Sequence, residues 1–174
     1  MALQFEDLAA SLGRMREEGI RVPKVQLSAA LRIAGGPNIT PRLRDFCDPV
    51  YLHQVKRRAA GGGVDSCRDL ADALAAGPGA QGEWRVHFHV PLYFGGDAEL
   101  KSTRDALDDE FLRAVGGGAT EHLEIETYTF SVLPECVGAL DLTASVAEEY
   151  RWVMRRMAEA KARGAGHPRR EHKP

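Results

Sequence analysis

An α/β fold of parallel (β/α) units is predicted by three features of this 174-residue sequence. Segments of helical and extended periodicity alternate strictly along the chain, and the connections between them are short. Such alternation calls for parallel strands with helical crossovers. Hydrophobic residues at 44% and charged residues at 28% match a globular chain that can bury a core.

Leu3, Leu8, Leu12 and Met15 recur at helical spacing until Gly19 stops the first helix. A strand-like run, Val22 to Ser28, follows. Pro37 to Cys47 reads as a helix with Thr40 as N-cap and Pro41 at its first position. The second strand is Val50 to Lys56, and Asp65 to Ala76 is an amphipathic helix with Leu70, Ala73 and Leu74 on one side. Trp84 to Leu92 is the clearest strand. Leu100 to Val115 is a helix that ends at Gly116-Gly117-Gly118, Glu121 to Phe130 is the fourth strand, and Thr143 to about Lys161 is the last helix, with Tyr150 and Trp152 as packing residues. Residues 1–162 form one domain. Residues 163–174, rich in Gly, Pro, His and Arg, are expected to be a basic mobile tail.

Composition narrows the function. The formal net charge of −2 argues against a dedicated nucleic-acid binder. The basic side chains concentrate in residues 151–174, where eight of them face two acidic ones. No apolar run approaches the ~20 residues that span a bilayer. Met1 to Asp7 lacks the basic start and apolar core of an export signal, so a cytoplasmic setting is expected. Cys47, Cys67 and Cys136 are widely spaced and odd in number, which points to reduced thiols. Gly61-Gly62-Gly63, behind Arg57 and Arg58, offers amides for a phosphate, but a plain turn is the better reading.

The chemistry lies in the third and fourth strands. Val86, Phe88 and Val90 alternate with Arg85, His87 and His89; Leu123 and Ile125 alternate with Glu124 and Glu126. Buried parallel strands are apolar on both faces, and unpaired buried charges cost several kcal/mol each. A polar face of this kind therefore lines a cavity or holds a cation. His87 and His89 share one side of a strand, as do Glu124 and Glu126. The mixed set suits Mn²⁺, Zn²⁺, Fe²⁺ or Mg²⁺, with His89 and Glu126 as ligands and Glu126 or Glu124 as general base. The competing reading is a hydrogen-bonded histidine layer, with the glutamates paired to Arg85 or Lys24. In the second strand, Leu52 is the better helix-packing residue, so His53 is placed inward with Tyr51. Gln26, His53, Arg85 and His87 are the candidate substrate-binding residues, and Gln26 and Ser28 would hydrogen-bond a polyol.

Three runs carry a resemblance: Asp48-Pro49-Val50-Tyr51-Leu52-His53-Gln54-Val55, Val86-His87-Phe88-His89-Val90-Pro91-Leu92, and His122 to Pro134 with its Glu-Thr-Tyr-Thr-Phe core. They resemble the later strands of EboE-type metabolite traffic proteins, a family similar to the xylose isomerase-like TIM barrels. The resemblance runs from the first helix to about Met157. It implies the C-terminal half of a (β/α)₈ barrel, because four strands are supplied and four more units would need roughly 100 or more residues. By position, His89 (or His87) and Glu126 (or Glu124) match late metal ligands of such barrels. The implied function is a sugar or sugar-phosphate isomerase or epimerase acting on a small metabolite, with a divalent metal as the expected cofactor. Non-catalytic metabolite trafficking and metal-dependent hydrolysis are the alternatives. The open strand edges of a half-barrel would be closed by a homodimer or by a complementary barrel half.

Overall fold

The computed structural model describes residues 1–77, 82–126, 133–134, 137 and 140–165. The described residues form five α-helices and seven strands, and the strands make two sheets: a parallel pair, β1 (Lys24–Leu27) with β7 (His122–Ile125), and a five-stranded antiparallel sheet. The larger sheet is ordered β4 (Val64–Cys67), β3 (Val55–Ala59), β5 (Gly82–Val90), β2 (Ala29–Ala34), β6 (Leu100–Ser102). Helices and strands both form as the periodicity predicts, and β1–β7 is parallel as expected. The larger sheet is not parallel, and no closed barrel forms among the described residues.

The reason is local. Ser28 alone separates β1 from β2, so one extended segment serves both sheets. Ala29 to Ala34, which the periodicity leaves unassigned, pairs with β5 on one side and β6 on the other. Gly61–Gly63 does not lead into a helix. It closes a hairpin: the Ala59 amide donates to the Gly63 carbonyl at 2.9 Å, and Gly62 takes φ +88°, a value open to glycine at little cost. Val64 to Cys67 then returns as β4, and its helix is shortened to α3 (Leu70–Ala75). The second strand is likewise shifted, from Val50–Lys56 to Val55–Ala59. The expected helix from Leu100 begins as strand β6 and becomes α4 only at Asp109–Ala114.

Caps fix the helices. Asp7 accepts the Ala10 amide at 2.9 Å before α1 (Leu8–Glu17), Asp69 precedes α3, and Asp108 accepts the Phe111 amide at 2.8 Å before α4. For α2 (Ile39–Leu43) the N-cap is Asn38 rather than Thr40. Pro41 still sits in the first turn, where a missing N–H costs no helical bond. The last helix, α5 (Leu142–Ala165), packs along α4 and runs past the expected boundary at residue 162. Arg163 belongs to it and donates to Asp109 at 2.8 Å, whereas residues 166–174 lie outside the described residues. Trp152 is buried as predicted, but Tyr150 is exposed.

The core joins the apolar face of β5 (Trp84, Val86, Phe88, Val90) to Leu31 and Ile33 of β2, Phe46, and the inner sides of the helices. Among the described residues, no helix is long and apolar enough to cross a membrane.

Candidate functional site

β5 alternates as its sequence predicts: Trp84, Val86, Phe88 and Val90 are buried, while Arg85, His87 and His89 take the opposite face. Beside His87 and Phe88 the β2–β5 register jumps. Ala30 stands opposite His89, yet its neighbour Leu31 stands opposite Val86. The two intervening residues form a bulge, which re-aims side chains at the place where the ladder is broken. His87 is held there by its amide, which donates to the Gln54 carbonyl at 2.7 Å.

The segment that spans both sheets brings the carboxylate in. Glu126 follows β7, and its amide donates to the Leu27 carbonyl at 2.9 Å. Three residues along the same segment, Ala30 faces His89. As a result, Glu126 Oε2 lies 3.6 Å from His89 Nδ1, and His89 Nε2 lies 3.0 Å from His87 Nε2. A carboxylate and two imidazoles thus stand in a row that leads from the seam between the sheets to the exposed His87.

Burial pushes the His89 pKa down; Glu126 opposes the shift, and the neighbouring histidines His87 and His53 add to it. The lowered pKa favours the neutral imidazole at pH 7. Glu126→Gln removes an influence that raises this pKa. An NMR titration of the imidazoles is expected to show His89 titrating lower in that variant than in the wild type. An unchanged or higher value would break the link between the two groups.

His53 lies apart from the row. It is buried, its ring centroid 4.9 Å from that of Phe88, and Phe88 in turn meets Phe46 edge-on at 5.0 Å. The expectation that Leu52 packs against the helices while His53 and Tyr51 turn inward is corrected at Leu52 and Tyr51. Leu52 and Tyr51 are exposed, and His53 stacks with the aromatic core beneath the bulge. Its amide donates to Asp69 at 2.9 Å, and the same carboxylate oxygen caps α3 at Leu70. Burial lowers the His53 pKa, with Asp48 and Asp69 opposing. Asp69 is a positioning residue that the site analysis of the sequence missed, although an Asp before an apolar helical run was a legible cap.

The remaining candidates are placed elsewhere. Glu124 is bound by Lys24 at 3.1 Å and Gln26 at 3.4 Å on the exposed side of the parallel pair, the pairing weighed as the alternative for the glutamates. Arg85 donates to Glu83 at 2.7 Å and to the Ala2 carbonyl, and its guanidinium lies 4.1 Å from the Phe5 ring centre. It anchors the N-terminal turn. Arg57, proposed beside a phosphate cradle, is bound through two nitrogens to Asp65 at 2.7 and 2.9 Å.

Two imidazole nitrogens 3.0 Å apart match adjacent corners of a shell with ~2.1 Å metal–nitrogen bonds. Glu126, however, faces the other nitrogen of His89. Among the described residues no three His, Cys, Asp or Glu side chains are grouped to hold one ion, so the donor set fits a metal only in part.

Comparison of the chain with protein-family models, curated proteins and solved structures finds no match.

Proposed function

We propose that the Glu126–His89–His87 row handles protons for a small polyol-type metabolite, a sugar or sugar phosphate, and that the protein is isomerase- or epimerase-like. The observation that carries this reading is the sequence of contacts at 3.6 and 3.0 Å ending on an exposed imidazole. Glu126 orients His89 and holds the proton on Nδ1. His89 Nε2 then accepts from His87 Nε2–H, which leaves His87 Nδ1 as the base at the surface. His87 removes a proton from the hydroxyl-bearing carbon beside a carbonyl while the carbonyl oxygen gains one, giving an enediol. The proton returns to the former carbonyl carbon as the other hydroxyl gives up its proton and becomes the carbonyl (isomerisation), or to the other face of the carbon it left as the first oxygen gives its proton back (epimerisation). No net oxidation occurs and no atom is lost. General base catalysis of this kind contributes about 10²–10⁴-fold.

Kinship with the C-terminal half of an isomerase-like barrel is part of the proposal. The parallel β1–β7 pair supports it, and the antiparallel order of the larger sheet counts against it. So too is closure of the strand edges by a second copy or a complementary half, with sedimentation as its check.

A second reading, non-catalytic metabolite binding or trafficking, is favoured by the commitment of Gln26, Glu124 and Arg85 to partners within the fold. Incubation with aldoses and ketoses in D₂O, with and without Mn²⁺ or Zn²⁺, separates the readings. Deuterium incorporation beside the carbonyl, reduced about 10²-fold or more in His87→Ala, supports the chemistry. Saturable binding without exchange supports trafficking, and absence of both overturns the site. A requirement for the added ion would make the metal part of it.

A further inference from the structure

A groove of 770 Å³ lies between α4, the turn that follows it, and α5, and it shares no residue with the histidine row. Its walls are Leu112, Gly116, Gly117, Met154, Met157 and Ala158. Small residues let the two helices approach: a Cβ on Gly116 would meet Met157 Cε at 3.1 Å, and one on Gly164 would meet Arg113 Cδ at 2.6 Å. Gly117 is different. Nothing lies within 4 Å of its would-be Cβ, so its face is open to the groove. Met154, 66% exposed, stands at the mouth of the groove beside Met157. Methionine walls adapt to the shape of an apolar guest.

The charges around this groove are of one sign. Arg113 and Lys161 line it, and the lining holds no carboxylate. Asp109 and Glu159, which lie on the same two helices, are already engaged by Arg156 and Arg163. Arg113 is braced by its bond to the Ala160 carbonyl at 3.3 Å, and Lys161 has no ion-pair partner among the described residues. A cavity of this size accommodates one small molecule. Its apolar walls and cationic rim specify an apolar body with a negative head.

We infer that the α4–α5 groove binds a single-chain anionic amphiphile, its hydrocarbon between Met154, Met157 and Leu112 and its head group at Lys161 and Arg113. The inference is independent of the proton chemistry proposed above, since neither site contributes a residue to the other.

Titration calorimetry on the full chain tests it, with dodecanoate and dodecyltrimethylammonium as probes below their micelle-forming concentrations. One equivalent of dodecanoate is expected to bind, at least tenfold tighter than the cationic probe, which corresponds to about 1.4 kcal/mol. Lys161→Glu should weaken dodecanoate about tenfold and leave the cationic probe no weaker. Gly117→Leu, whose Cβ meets no atom within 4 Å, should abolish binding while circular dichroism stays unchanged. Equal binding of the two head groups, or full binding by Gly117→Leu, would overturn the inference. So would a dimer in sedimentation whose formation is blocked by Gly117→Leu and indifferent to dodecanoate, because a second copy would then be the occupant.

Discussion

Phe88→Ala is expected to cost about 3–5 kcal/mol of folding stability, the usual range for a buried aromatic ring replaced by a methyl group. Phe88 is 5% exposed and contacts rings on two sides, Phe46 at 5.0 Å and His53 at 4.9 Å. The β2 ladder is broken at Phe88 and the β3 ladder ends at Val86, so the strand can relax in part and the loss is expected toward the lower end of that range. A second effect follows from chemistry. Water entering the vacated space relieves the burial that lowers the His53 pKa, so that pKa is expected to rise toward the ordinary histidine range. Phe88→Leu should recover much of the stability while removing the ring contacts. Urea unfolding at constant m-value and histidine NMR measure the two effects separately. A loss below about 1 kcal/mol would mean that the bulge is not packed as described.

The second large effect concerns Glu149 on α5. It is 1% exposed; Oε1 accepts the Leu92 amide at 3.0 Å, and Oε2 has no hydrogen-bond partner. Burial raises its pKa, and the Leu92 hydrogen bond opposes the rise. A carboxyl whose folded pKa is raised retains its proton longer in the native chain than in the unfolded one. Its contribution is therefore complete below the unfolded value of 4.5 and is lost as pH climbs through the folded value. Glu149→Gln cannot ionise. Its stability relative to the wild type should improve as pH rises from the unfolded value of 4.5 to the folded value and level off above it, although its amide hydrogens lack acceptors where Oε2 lay. Glu149→Ala should be destabilised at every pH by about 1–3 kcal/mol, since the Leu92 N–H loses its acceptor. Parallel stability–pH curves for wild type and Glu149→Gln would remove the argument. In the sequence of α5, Tyr150 and Trp152 stand out as packing residues, and the acid just before them carries no such signal.

What could be read in advance was the face of each strand. The period of two in Trp84-Arg85-Val86-His87-Phe88-His89-Val90 fixed which side chains share a side, and the structure keeps that division through the bulge. The meeting of His89 with Glu126 has a different origin, the β1–β2 segment that joins the two sheets, and period two does not reveal it. Topology was not legible either. Val64-Asp65-Ser66-Cys67 carries too few apolar residues to announce a strand, and its exposure at the sheet edge explains why none are needed. Leu100–Ser102 is too short to show a period. Ala29–Ala34 is joined to β1 by one residue, without the Gly or Pro that marks a change of partner. With those three strands hidden, the visible elements alternated as helix and strand, and parallel crossovers followed. Arg85 was misassigned for a different reason: its partners, Glu83, Ala2 and Phe5, lie at the sheet edge and the N-terminus, beyond the reach of strand periodicity.

The row of proton-handling groups straddles two pieces of very unequal robustness. His87 and His89 belong to the middle strand of five, whereas Glu126 hangs from a ladder of two strands, each four residues long. Short ladders fray well before whole domains melt. Denaturant or warmth too mild to disturb the large sheet would thus detach the carboxylate first, leaving both imidazoles in position but without the anion that orients them. Loss of the Glu126–His89 contact would then precede unfolding, and it would reverse on cooling.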